Sequence, residues 1–454
     1  MARGGFANDQ EQRPPSANNH AMGTGWVVLT VIHCPSRRVR RSAATLLLAC
    51  TTAAAMLEPI PANAQLTGKA SATTQYVSNS NLFAVDSAFK ARGTGNTPTT
   101  VTDFAYGVAF EGDYAFGRQQ AYASGTATQY DYQKLSQLSH YEYTVDTGLK
   151  WRLAEIVDGN LDASRTRAMV PFLDLSGSEA LSVQTVQQEK FQIGLTLNSD
   201  WRFEGSGLTS KTSQPVSPVA FGLNQVPASA GLSNDLTQNS GTATVRYTGI
   251  GPLNSGVTVG YSNGVNGSSN GTVNSTYREY TAGLVAAYKL NRTSLDGQVG
   301  YTRRTSDSGY GNTAGLTGLL DFKDQLTPKT SFAVHIERAI QTLYLNLGTE
   351  VDSGAGVAVA WQATYKSAVS LGYTFTYRAF PEPSQPPNDA YRVDYEQTAN
   401  IGISYQPFRW LSITPYANIL TRRSNISGEN FAANVYGISF TASVSSEAAP
   451  KRKR

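Results

Sequence analysis

The side chains that could do chemistry here are carboxylates, guanidinium groups and two histidines, many of them recurring at even spacings. Glu142, Asp146, Lys150 and Arg152 do so within one stretch, and Glu279, His335, Glu337, Arg378, Asp394 and Glu396 lie in similar stretches further on. Enzymatic use would need a nucleophile with a base in reach. Beyond the basic leader the only imidazoles are His140, near Asp131, Ser136, Ser139 and Glu142, and His335, in phase with Ser331, Glu337 and Gln341. Both read as polar wall or rim residues, so no catalytic residue is assigned. No cysteine or paired histidine offers a metal-ligand spacing, so no metal is expected. Gly264, Gly267 and Gly271 lie in an Asn/Ser/Gly-rich stretch with no helix after it, which argues against a phosphate-cradling loop, and no cofactor is expected. The chemistry left is that of fixed charges facing water.

The element that must carry these charges is plainest at Tyr141 to Leu153. Tyr141, Tyr143, Val145, Thr147, Leu149, Trp151 and Leu153 alternate with Glu142, Thr144, Asp146, Gly148, Lys150 and Arg152. A period of two makes this a β-strand with one apolar and one polar face. A connection over Ala154 to Gly159, containing Asp-Gly, returns the chain into a second strand. About ten residues, apolar outside and polar inside, form the unit of a transmembrane β-barrel. Asp103, Glu111, Asp113, Asp131, Lys289 and Arg392 share the polar phase elsewhere. An Arg or Lys facing lipid at mid-depth costs about 2–4 kcal/mol, so these charges are expected to line a lumen. Leu161 and Ala163 share parity with Arg165 and Arg167, which predicts a bulge between Asn160 and Arg167.

Similar segments recur from 67–78 to 430–444, which gives an all-β, transmembrane antiparallel barrel of sixteen to eighteen strands. Tight turns at Gly117–Arg118, Asn198–Asp200, Ile250–Leu253, Leu290–Arg292, Lys366 and Pro407–Phe408 alternate with long polar connections. The long ones include Asn79–Thr100, Met169–Val186, Lys211–Gln238, Ser262–Thr276, Thr342–Ser353 and Pro381–Tyr391. Barrels of the outer membrane have short periplasmic turns and long extracellular loops. Trp151, Trp201, Trp361 and Trp410 all lie near short turns, as a periplasmic aromatic girdle would. Tyr130, Tyr132, Tyr141, Tyr143, Tyr277, Tyr377 and Tyr391 cluster toward the long loops and would form the opposite belt.

Composition agrees. Charged residues make up 15% of the 454, against about 25% in an average soluble domain. No run of eighteen apolar residues follows the leader, so no membrane-spanning helix is expected. The net charge of +4 is not a nucleic-acid signature, and Lys451 to Arg454 alone supply four positive charges. Arg37-Arg38-Val39-Arg40-Arg41 followed by Ser42 to Leu57 reads as the start of a signal peptide. Ala62-Asn63-Ala64 before Gln65 is its cleavage site. A lipoprotein reading through Leu47-Leu48-Ala49-Cys50 is the rival, though the apolar run continues past Cys50. Both cysteines, Cys34 and Cys50, precede the cut, which suits export. The expected organisation is a preface at 1–36, signal peptide at 37–64, barrel at 65–444 and basic tail at 445–454.

With its first strand and exit, Thr74-Gln75-Tyr76-Val77-Ser78-Asn79-Ser80-Asn81-Leu82-Phe83, the chain resembles the outer-membrane β-barrel family found with exopolysaccharide gene clusters. The Trp151-Arg152-Leu153 hairpin with Gly159 to Arg167, the Asp200-Trp201-Arg202 turn and the terminal Asn434 to Phe440 strand carry the same likeness. The ending departs from pattern: Phe440 is followed by fourteen residues, whereas barrel precursors usually finish on an aromatic residue. The resemblance implies a porin-like protein assisting exopolysaccharide export or assembly. Its partners would be outer-membrane lipids and lipopolysaccharide, the barrel-assembly machinery, and polysaccharide or export-complex proteins, with no nucleic acid. A general diffusion porin and a non-conducting surface scaffold or adhesin are the alternatives, with an outer-membrane hydrolase last.

Overall fold

Alternation of apolar and polar side chains, with few helix-stabilising runs, commits nearly the whole chain to extended backbone. The computed structural model describes residues 64–84, 86, 100–170, 181–198, 200–215, 233–268, 275–307, 312–342, 349–383 and 391–446. The expected preface and most of the signal peptide (1–63), and most of the basic tail (447–454), lie outside these. In chain order the strands are β1 (Ala64–Asn79), β2 (Val101–Phe116), β3 (Gln119–Tyr132), β4 (His140–Leu153), β5 (Val157–Met169) and β6 (Val183–Thr196). There follow β7 (Trp201–Pro215), β8 (Ser233–Ile250), β9 (Leu253–Ser268), β10 (Ser275–Lys289), β11 (Thr293–Ser306) and β12 (Thr313–Thr327). The last six are β13 (Thr330–Thr342), β14 (Thr349–Trp361), β15 (Ser367–Pro383), β16 (Tyr391–Phe408), β17 (Leu411–Ser424) and β18 (Phe431–Ser446).

Each strand pairs antiparallel with its neighbours in sequence, and β1 pairs with both β2 and β18. The sheet therefore closes on itself as an eighteen-stranded barrel with no open edge. Closure satisfies every ladder hydrogen bond within the wall, the condition for crossing hydrocarbon with strands. Connections from even to odd strands are two to five residues long, and those from odd to even strands are six or more. The barrel thus has a short-turn end and a long-loop end. Gly117 and Gly251 take left-handed backbone in two of the tight turns, with φ of 65° and 56°. Between β4 and β5 the turn is Ala154–Ile156, and Ala154 itself is left-handed, with φ of 56°. Asp158 and Gly159, expected in that connection, belong to β5 instead.

The strands run further toward the long-loop end than alternation suggests. β6 begins at Val183, β7 continues to Pro215, β8 begins at Ser233 and β9 continues to Ser268. The extension of β7, through Gln214, is polar on both faces, so it carries hydrogen-bonded ladder without an apolar signature. Those of β6, β8 and β9 hold only isolated apolar residues such as Leu236 and Val265. An apolar cluster of buried residues, Phe83, Val101, Tyr132, Leu135 and Leu138, lies toward the long-loop end, around the β3–β4 connection. Most large apolar side chains of the wall are instead turned outward and exposed.

The barrel lumen as candidate functional site

The pleat fixes which residues face where. Val145, Leu161, Val257, Leu284, Val299, Leu316 and Leu371 lie on one continuous side of the wall, each more than 40% exposed. Such a belt of exposed aliphatic side chains is the surface that faces hydrocarbon in a membrane-spanning barrel. This chain is a membrane-spanning β-barrel of the outer-membrane type. Trp201, Trp361 and Trp410 are exposed at the short-turn end, and Trp151 lies two residues from the end of β4.

The opposite face carries the polar groups. Glu142, Asp146, Lys150 and Arg152 alternate with the lipid-facing residues of β4. Glu279 of β10, His335 and Glu337 of β13, Arg378 of β15, and Asp394 and Glu396 of β16 occupy the same inner side through the register of their strands. Three expectations fail. Asp131 is on the outer face, where the Tyr106 hydroxyl donates to it, and Tyr130 and Tyr132 turn inward. Ala121, Ala123 and Ala127 give the outer face of β3 little hydrophobic weight, so its tyrosines misled the phase. Tyr277 also faces inward, beneath the Arg304 guanidinium at 4.5 Å. The bulge expected between Asn160 and Arg167 is absent: β5 pairs in unbroken register with β4 and β6, and Arg165 and Arg167 share the outer face with Leu161. They lie near the long-loop end, where a guanidinium can reach water.

The inner wall is organised by ion pairs. Toward the long loops Arg392 reaches Asp394 at 2.6 Å and Glu429 at 3.0 Å, and Arg422 reaches Glu429 at 2.9 Å. Arg378 lies 3.5 Å from Glu396 and 3.9 Å from Asp352, and Arg304 lies 2.8 Å from Glu279. Asp394 is fully buried within this group. Toward the short turns Arg202 forks onto Asp158 with two 2.8 Å hydrogen bonds, and Glu204 bridges Arg202 and Arg246. Lower on β12 and β13, His335 lies between Asp321 at 2.8 Å and Glu337 at 3.5 Å. His140 is buried at the outer mouth. Its ring contacts the Leu138 carbonyl at 2.7 Å and Glu142 at 3.2 Å, while Glu142 accepts from the Met169 amide.

These networks tie strands together around the wall, Arg202 of β7 reaching across β6 to Asp158 of β5, yet they leave space. A cavity of about 1050 Å³ is lined by Lys150, Arg152, Asp158, Arg202, Glu204 and Arg246 among others. Glu111, Lys150, Arg152, Lys190 and Gln298 are exposed on the inner face. Counted over the strands, the inner face has sixteen Asp and Glu against twelve Lys and Arg. Position 148 is not open: the Tyr122 ring lies across Gly148, and a side chain there would have to displace it. Among the described residues no cluster of His, Cys, Asp and Glu is suited to hold a metal ion.

No family model matches the chain, and no curated protein matches it. Solved outer-membrane barrels are similar in structure. The siderophore receptor PirA from Pseudomonas aeruginosa aligns over 85% of this chain and 81% of its own, at 12% identity and a TM-score of 0.44. The FrpB iron transporter from Neisseria meningitidis, in its F5-1 apoprotein form, aligns over 82% of this chain and 63% of its own, at 10% identity and 0.47. The outer membrane protein opdK from Pseudomonas aeruginosa aligns over 83% and 99%, at 12% identity and 0.43.

Proposed function

We propose that the barrel is a porin-like conduit for polar solutes, and more specifically that it assists exopolysaccharide export. The observation that carries the first part is the inner face: charged and amide side chains exposed to the interior of an eighteen-stranded wall. Barrels of 16–18 strands leave an aqueous channel when nothing fills them. The ion pairs stiffen the wall, and the excess of carboxylates biases it toward cations. The second part is supported by the sequence resemblance. The short turns face the periplasm and the long loops the exterior in this reading, with the tryptophans forming the periplasmic girdle. The signal peptide is cut after Ala64, which N-terminal sequencing giving Gln65 would support and a lipidated Cys50 would overturn.

The test is swelling of liposomes containing the full chain in neutral oligosaccharides of increasing length, paired with secreted-polymer measurements in a deletion strain. Passage of short oligosaccharides and loss of secreted polymer support both parts. Passage with normal secretion leaves a general diffusion porin, and no passage of any solute leaves the scaffold.

A further inference from the structure

The Lys and Arg residues of the outer face have a distribution of their own. Each one in a strand lies in the half nearest the long loops, Arg165, Arg167, Lys211, Arg278, Arg303 and Arg423 among them. Inside the barrel, Arg202, Arg246, Arg304, Arg378, Arg392 and Arg422 are all ion-paired. On the outer face, no Lys or Arg pairs with a carboxylate among the described residues. The densest group spans β5 to β7. Arg165, Gln187 and Lys211 are consecutive partners in one row across three strands, a span of about 10 Å. Arg167 lies one pleat further toward the loops, 3.8 Å from the ring of Tyr141, which stacks on Tyr143. Two carboxylates border the row: Glu189 one pleat toward the membrane centre on β6, and Asp235 beyond it on β8, taking the Ser213 hydroxyl.

Arg165 stands eight residues from the short-turn end of its strand, and Lys211 ten from that of β7. At about 2.5 Å of height per tilted residue, that is about 20–25 Å, the far edge of an apolar band about 25 Å tall. Arg167 also donates to the Tyr141 carbonyl at 2.7 Å, but none of these cations has a carboxylate partner among the described residues. At that level they meet headgroups, and guanidinium groups suit phosphate oxygens in particular. We propose that the Arg165–Arg167–Lys211 group binds the phosphate groups of the outer-leaflet glycolipid, lipid A. Tyr141 and Tyr143 hold Arg167 at the interface while Arg165 and Lys211 reach phosphate from either side of Gln187. The assignment rests on the reading that the long loops face outward.

The experiment uses the full chain folded in detergent micelles, titrated with lipid A and with its dephosphorylated form. The triple variant Arg165→Gln, Arg167→Gln, Lys211→Gln should bind lipid A at least about tenfold more weakly than the parent, the loss expected of charge-assisted hydrogen bonds. The parent should bind dephosphorylated lipid A as weakly as the variant binds lipid A. Heat-modifiable mobility reports folding, and the single variant Arg165→Gln, with a smaller loss in the same direction, serves if the triple does not fold. Unchanged affinity in the folded variant, or equal binding of both lipids by the parent, would overturn the assignment. So would full displacement by millimolar inorganic phosphate, which would make the ligand free phosphate. Binding in micelles is read without conduction or cellular sidedness, so a closed lumen or reversed loops would sink those readings separately.

Discussion

Two adjacent residues of β11 give a sharp test of the wall. Val299 faces lipid, is 53% exposed, and sits six residues above the short-turn end of its strand, beside Leu284 of β10. Six residues of strand tilted by about 40° rise about 15 Å, near the middle of an apolar band about 25 Å tall. Val299→Arg therefore places a guanidinium at mid-depth, at a cost of about 2–4 kcal/mol. That is about a 30- to 900-fold shift of the folding equilibrium toward the unfolded chain. Gln298→Arg, one residue earlier, projects into the lumen, where Gln298 is exposed, and should leave stability nearly unchanged. Urea titration of the two variants in vesicles, followed by tryptophan emission and heat-modifiable mobility, separates them. Equal stability, or a larger loss in Gln298→Arg, would refute the assignment of faces and with it the inner position of the charges.

Two further outcomes follow from the wall. The Trp151 indole lies over Gly159, whose added side chain would also meet the Gln192 carbonyl at 2.6 Å. Gly159→Val should destabilise by about 1–3 kcal/mol and shift Trp151 emission, and an unchanged spectrum would contradict that packing. An epitope tag inserted between Pro215 and Ser233 should be reached by antibody on intact cells, and one at Gly251–Pro252 should be reached only after permeabilisation. The reverse pattern would invert the sidedness.

What could be read from the sequence was set by side-chain size. β4 was legible because Tyr141, Tyr143, Val145, Leu149 and Trp151 are large and all on one face. β3 was not, because its lipid face is built from Ala121, Ala123, Gly125 and Ala127 while its bulkier Tyr122, Tyr130 and Tyr132 face the lumen. Arg165 and Arg167 suggested a bulge only because depth is invisible in a pattern: a charge barred from mid-membrane is tolerated at the interface. The parity of short and long connections survived, since turn chemistry is local. The ion-pair networks did not show, because partners such as Arg202 and Asp158 are 44 residues apart and are joined only by register. Gly148, open by alternation, is covered by Tyr122 for the same reason: the neighbour that fills it comes from another strand.

The proposed conduit is an open aqueous path whose wall carries more carboxylates than cations. The most direct measurement is the reversal potential of single channels formed by the full chain in planar bilayers under a potassium chloride gradient. Discrete conductance steps are expected, with a reversal potential displaced toward that of potassium and the displacement reduced in Gln298→Arg. Steps reversing toward chloride would contradict the charge assignment, and absence of steps from folded protein would contradict the open path.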